Sequence, residues 1–294
     1  MTRRYGWLLN LDAEMELARG RPGYVPQRKL LAQLAQHGGG ARALVGTNDE
    51  LLDEHGAVPV TAGLVGRAWC PTPLALASLR RLGVEPEPHP DAKVLRRVNH
   101  RLFAHELGGG LPEQRYVQTH AQLAERLGDG ARRWLLKRPL GFAGRGQLRA
   151  LGPLSEKQGT WVDASLKRDG LIVEPLVTPT FEVSVHGFIW RGGRYEIGAI
   201  CAQIVSERGV FRGVRRAEPG ELSAIEQAAF EERARRVATA LFAAGYFGPF
   251  GIDGYRYSSQ DASGFCALSE INARYTLGFV TGFPRHPSEL SLDD

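Results

Sequence analysis

Apolar and polar positions change their period several times along this chain, and each change predicts a different element. Tyr5 to Leu11 is largely apolar, as a buried strand is, and Leu30, Leu31 and Leu34 give Val25 to His37 helical spacing. Gly38-Gly39-Gly40 predicts the end of that helix, and Arg42 to Gly46 reads as a second buried strand. Leu74 to Leu82 predicts a short helix. Three prolines between Glu85 and Pro90 remove backbone donors and fix φ, so a boundary is expected there. Asp91 to Leu107 and Thr119 to Leu127 then read as helices separated by Gly108-Gly109-Gly110.

From Arg133 the pattern turns to strands. Trp134 to Lys137, Gln147 to Leu151, Gly170 to Val177, Phe181 to Trp190 and Arg194 to Val205 all read so, the last two flanking the hairpin signal Arg191-Gly192-Gly193. Glu221 to Ala244 predicts a long helix with Leu222, Ile225, Ala229, Val237 and Leu241 on its apolar face. Tyr246 to Tyr257 and Phe265 to Tyr275 are strands joined by the turn-rich Ser258 to Gly264. The expected organisation is a small α/β unit over 1–85, a helical connector over 86–130, a small β-rich subdomain over 131–178 and an α+β subdomain over 179–294. The fold class expected is therefore α/β and α+β together.

Composition narrows the function classes. At 43% hydrophobic and 23% charged residues, the chain of 294 is an ordinary globular one. Its apolar stretch before Ile252 is broken by Gly245, Gly248 and Pro249, so no membrane span is expected. Trp7 to Leu9 is too short for the core of a signal peptide. Three widely spaced cysteines (Cys70, Cys201 and Cys266) suit buried thiols in the cytoplasm better than disulfides or zinc. Net charge is +5, and only five of the 37 cations are lysines, so each Lys draws attention as a place where a compact ammonium is needed. No basic stripe with interleaved aromatics suggests nucleic-acid binding.

The last hairpin is the most informative stretch. Glu270, Asn272 and Arg274 share one face of their strand, and folding about Asp261/Ala262 sets Asp253 opposite Glu270. Two carboxylates that close repel unless a cation bridges them, and carboxylate and amide oxygens are the hard donors Mg²⁺ prefers. A solvated face neutralised by Arg274 is the plainer alternative. Upstream, Lys137 closes an apolar strand and a glycine-rich loop, Gly141 to Gly146, follows it. Glycines allow backbone N–H groups to approach phosphate, and Lys137 and Arg145 add charge. A flexible hairpin loop has the same look, and the pattern is neither a Walker A loop nor GxGxxG. Leu171 to Val177 is a strand running into Glu174 and Pro175, an ending that can offer the Pro175 carbonyl and Val177 amide to an adenine edge. Ser184 and His186 share a strand face with no acid placed to make a triad.

Taken in order, Lys93, Lys137, the GFAGRG loop, VEPLV, Glu182, Asp253 in GIDGY and EINARYTLG resemble the ATP-grasp superfamily over roughly 91–278. The resemblance implies a nucleotide clamped between two α+β subdomains behind a small Rossmann-like α/β domain. Lys93 and Lys137 would contact phosphates and the adenine side, with Gly144, Arg145 and Gly146 over the β- and γ-phosphates. Glu174, Pro175 and Val177 would meet the adenine, and Glu182 the ribose. Asp253, Glu270 and Asn272 would bind one or two Mg²⁺, with Mn²⁺ as a possible substitute. Lys137, Arg145 and Arg274 would take part in catalysis, Arg274 holding acyl phosphate oxygens, and Arg212 is a weaker candidate for the acidic substrate. The activity implied is a cytoplasmic ATP-dependent carboxylate–amine ligase for a small-molecule or peptide acid, with no nucleic-acid or membrane partner and room for a homodimer. A kinase on the same site, or an ATP-binding regulatory module, are the alternatives.

Overall fold

Three sheets organise the chain in the computed structural model, which describes residues 3–20, 23–25, 38–53, 59–128, 132–141, 146–205, 211–259 and 263–293. The helix expected through 26–37 with Lys29, loop positions 142–145 (including Gly144 and Arg145) and the Asp261/Ala262 turn lie outside these residues. No helix among the described residues is long and apolar enough to cross a membrane. The three cysteines are free and buried.

The first sheet is parallel, with β1 (Tyr5–Leu8) between β2 (Glu50–Leu51) and β3 (Val65–Ala68). Around it lie α1 (Ala13–Arg19), α2 (Gly38–Arg42) and α3 (Pro73–Arg81). Two expectations fail here. The glycine run sits inside α2 instead of ending a helix, and 42–46 is not a strand. Ala41 and Leu44 are the buried pair, three residues apart, and amides of Leu44 and Val45 bond back to the Ala41 and Arg42 carbonyls, which is helical geometry. β3 was invisible to hydropathy because Arg67 occupies its centre. That arginine is fully buried, pairs with Glu87 at 2.7 Å and lies 3.4 Å over the Tyr5 ring.

The second sheet is antiparallel, in the order β4 (Arg115–Val117), β7 (Leu171–Pro175), β5 (Trp134–Lys137), β6 (Gln147–Ala150). β4 belongs to the stretch expected as a helical connector, which also carries α4 (Ala92–Val98), α5 (Arg101–Glu106) and α6 (His120–Leu127). An unforeseen helix, α7 (Glu156–Leu166), packs on the same sheet. Its start was readable as a capping box, Ser155 with Gln158, both halves of which form. Val117, Trp134, Leu136, Leu171 and Val173 point to α6 and α7 and form a core of their own.

The third sheet runs β11 (Phe211–Arg216), β10 (Cys201–Val205), β8 (Thr178–Ile189), β12 (Gly248–Ser258), β13 (Ser263–Asn272), with β9 (Tyr195–Ile197) also on β8. The single strand expected over 194–205 is thus two, and Arg212 lies on an edge strand. Helix α8 (Ala224–Ala243) covers the sheet with Phe230, Ala234, Val237, Ala238 and Leu241. Of the expected face, Leu222, Val237 and Leu241 are buried, while Ile225 is 82% exposed and Ala229 is exposed too. α9 (Phe279–Gly282) packs against β8 and β11. One continuous core joins Tyr5 and Trp7 of the first sheet to Phe188, Ile252 and Tyr275, so the N-terminal unit is built into the body that carries the last hairpin.

Candidate active site

Alternation in the two antiparallel sheets decides what faces the space between them. With Leu136 and Val173 turned to the small core, Leu135, Lys137, Ile172 and Glu174 take the opposite face of their strands. Lys137 and Glu174 form an ion pair there, both side chains largely buried. Glu174 therefore meets the Lys137 ammonium, and the strand ending at Pro175 and Val177 lies beside it. Arg101, Lys137, Glu174 and Ser269 of β13 all line one narrow cavity between the sheets.

On the facing sheet the register is as the sequence requires: Asp253 lies opposite Glu270 on one side and Ser184 on the other. Asn272 donates to Asp253 Oδ2 at 2.8 Å, and Gln203 donates to Oδ1 at 3.2 Å. Burial and the nearby Glu270 carboxylate push the Asp253 pKa up to about 7, with Glu182 a smaller contributor in the same direction. Burial also raises the Glu182 pKa. Glu182 stands two residues from Ser184 on β8, opposite Tyr255, and so shares the acidic face. Two clustered carboxylates and an amide are hard oxygen donors that gain from a divalent ion, so the residues fit Mg²⁺. No group of three or more His, Cys, Asp or Glu among the described residues could hold a metal, so an ion here would draw on Asn272, water and phosphate as well.

Two cations bind this hairpin. Arg101 donates to Glu270 Oε1 at 2.7 Å, to the Arg138 carbonyl at 2.8 Å and to the Gly141 carbonyl at 3.5 Å. It ties the base of the glycine-rich loop to the acidic hairpin. The base itself is closed by the Arg138 amide on the Gly146 carbonyl, with Gly146 at φ +78°, where a side chain would be strained. Arg274 pairs with Glu14 of α1, donates to Asn272 Oδ1 at 2.9 Å and to the Tyr275 carbonyl at 2.9 Å, and lies 5.3 Å from the Trp69 ring. Most of its donors are spent inside the protein, unlike the open, substrate-facing arginine the sequence suggested.

Lys93 is not brought to this cavity. It is exposed on α4 and lines a separate surface cleft with Arg96, Arg97, His100 and Tyr116. Arg212 is exposed on edge strand β11. His186 forms no triad: its ring nitrogens meet the hydroxyls of Ser184 (3.3 Å) and Thr276 (2.8 Å), and burial lowers its pKa to about 4. A Cβ at Gly278 would collide with the His186 ring, which is why the chain after EINARYTL can pass so close to β8. Sequence reasoning missed Arg101, Gln203 and Glu14. In a chain with 32 arginines one more carries no signal, and Glu14 is 260 residues from its partner.

No family model and no curated protein matches the sequence. Solved structures do match the fold. A carboxyaminoimidazole ribonucleotide synthase from Aspergillus clavatus, complexed with ATP, is 16% identical over 99% of this chain and 78% of its own, with a TM-score of 0.54. D-alanyl-alanine synthetase A from Vibrio cholerae is 15% identical over 100% of this chain and 92% of its own, with a TM-score of 0.53. An N5-carboxyaminoimidazole synthetase from Staphylococcus aureus, complexed with ADP, is 12% identical over 93% and 71%, also at 0.53. With a small parallel α/β unit ahead of two facing antiparallel sheets, this chain has the ATP-grasp fold.

Proposed function

We propose that the protein is an ATP- and Mg²⁺-dependent ligase that joins a carboxylate to an amine through an acyl phosphate. The observation that carries this reading is the Asp253–Glu270–Asn272 cluster, tied through Arg101 to the cavity that Lys137 and Glu174 line. The fold neighbours support it, since they are named as synthetases or a synthase and two are complexed with ATP or ADP. Asp253, Glu270 and Asn272 would hold the metal, which when bound supplies charge neutralisation to the phosphoryl group being transferred. Lys137 and Arg101 bring positive charge to the phosphates, and the glycine-rich loop that ends at Gly146, whose Gly144 and Arg145 lie outside the described residues, would cover them. Glu174, Pro175 and Val177 border the base, and Glu182 the ribose. The carboxylate of the acid attacks the γ-phosphorus, ADP leaves, and the amine nitrogen then displaces phosphate and gives up a proton. Arg274 acts chiefly by fixing Asn272, with its remaining donor toward the acyl group. The substrates are small molecules, without nucleic acid or membrane.

ADP release across a panel of acids and amines, with hydroxylamine present to trap acyl phosphate as hydroxamate, tests the reading. ADP with hydroxamate supports it. ADP with a stable phosphorylated alcohol would make the protein a kinase, and nucleotide binding without turnover a regulatory module.

A further inference from the structure

The cleft that takes Lys93 lies apart from the acidic hairpin and has a chemistry of its own. Its volume is about 510 Å³, within the roughly 300–1,000 Å³ that small-molecule sites occupy. Lys93, Arg96 and Arg97 stand three and four residues apart, so one face of α4 presents three cations to it. Arg96 is held in place by Asp169 at 2.7 Å and by the Leu17 carbonyl at 3.1 Å. Neither Lys93 nor Arg97 has an acidic partner among the described residues. Aromatic rings continue the wall. Phe103 lies 5.8 Å from the Arg97 guanidinium, and Tyr116 meets the His100 ring edge to face at 6.3 Å. His100 Nδ1 accepts from the Leu102 amide at 3.2 Å, so the neutral ring carries its proton on Nε2 as a donor. Glu106 supplies a carboxylate, and it too has no ion-pair partner among the described residues.

Each part of this wall selects a different part of one ligand. Clustered cations without counter-ions draw a phosphate dianion, and flat rings take a flat apolar body. A carboxylate beside them accepts hydrogen bonds from ribose hydroxyls. We propose that this cleft binds a nucleoside monophosphate, apart from the cavity of Lys137. Its phosphate lies on Lys93, Arg96 and Arg97, its base against Phe103 and Tyr116, and its ribose hydroxyls on Glu106. No step of this inference rests on the ligase reading.

Equilibrium dialysis of the full chain against radiolabelled AMP is the test, with adenosine and AMP lacking both ribose hydroxyls as competitors. Saturable AMP binding is expected, with each competitor weaker by at least about tenfold. Lys93→Ser/Arg97→Ser removes two exposed cations and should weaken AMP by a similar factor while Mg-ATP binding stays at the parent level. Arg235→Ser/Arg236→Ser removes two exposed cations from α8 and should leave AMP binding unchanged. Thermal melts confirm that both variants are folded. No saturable AMP binding, adenosine bound as well as AMP, or an unchanged affinity in Lys93→Ser/Arg97→Ser overturns the proposal. So does an equal loss in the α8 variant, which would mean general attraction to a basic protein. A parallel loss of Mg-ATP in Lys93→Ser/Arg97→Ser would place Lys93 in the ATP site and overturn the separate cleft. AMP bound by a parent that binds no Mg-ATP upholds this site and sinks only the ligase.

Discussion

Arg101 and Glu270 form an ion pair of 2.7 Å between an arginine side chain 8% exposed and a carboxylate in the cleft. The same guanidinium holds the Arg138 carbonyl, so a helix, a loop base and the acidic hairpin meet in one side chain. Arg101 balances one of the two carboxylates that face each other across β12 and β13.

Removing it should expose that balance. In Arg101→Met the Asp253–Glu270 repulsion loses its counter-charge, and a divalent ion gains where the arginine stood. Mg²⁺ alone should then raise the melting temperature of the variant more than that of the parent, through preferential binding to the folded state. Equal shifts in a thermal melt would show that Arg101 does not shield Glu270.

Lys137→Met should leave the Glu174 carboxylate, 4% exposed, without its counter-ion. Breaking a buried pair this way costs on the order of 3–5 kcal/mol, and Lys137→Met/Glu174→Leu should recover much of it, since an apolar pair of like volume replaces both charges. Urea unfolding of parent, single and double variants reads the cycle. Mg-ATP affinity should fall in both variants, because the cleft has lost its ammonium.

Glu270→Gln keeps shape and removes one charge from the metal cluster, so the Mg²⁺ requirement of ADP release should rise steeply. From sequence alone, Arg274→Ala would leave the fold and Mg-ATP binding intact and slow only the chemical step. Its pairing with buried Glu14 changes that expectation. Arg274→Ala should lose on the order of 3–5 kcal/mol of stability, with the Glu14→Ala/Arg274→Ala double variant losing less than the sum. A folded, fully stable Arg274→Ala would mean that the pair contributes nothing.

The neutral, buried His186 gives the fold an acid limit. Its folded pKa of about 4 lies below the unfolded 6.5, so the unfolded chain takes the proton first as pH falls. Its contribution is intact above about pH 6.5 and is lost toward pH 4, at up to about 1.4 kcal/mol per pH unit. Urea midpoints between pH 7 and 4.5 should fall less steeply in His186→Asn than in the parent. Parallel slopes would remove His186 as the cause.

What the sequence by itself determined was local or periodic. Glu270 beside Asn272 followed from strand alternation, which depends only on a period of two. The strand bearing Lys137 was legible for the same reason. Asp253 meets Glu270 as expected only because a register shift between Asp253 and Tyr255 moves it there, since the pairs nearer the turn would set it opposite Leu268. Tertiary structure decided the partners that come from afar. Glu14 reaches Arg274 and Arg101 reaches Glu270 only because one core draws the N-terminal unit, the connector and the last hairpin together. Hydropathy could not show β3, whose buried Arg67 reads as polar until Glu87 and the Tyr5 ring neutralise it. Lys93 failed in the opposite sense: its rarity marked it, but burial, not residue type, selects which cation enters a cleft, and the fold turned Lys93 outward and Arg101 in.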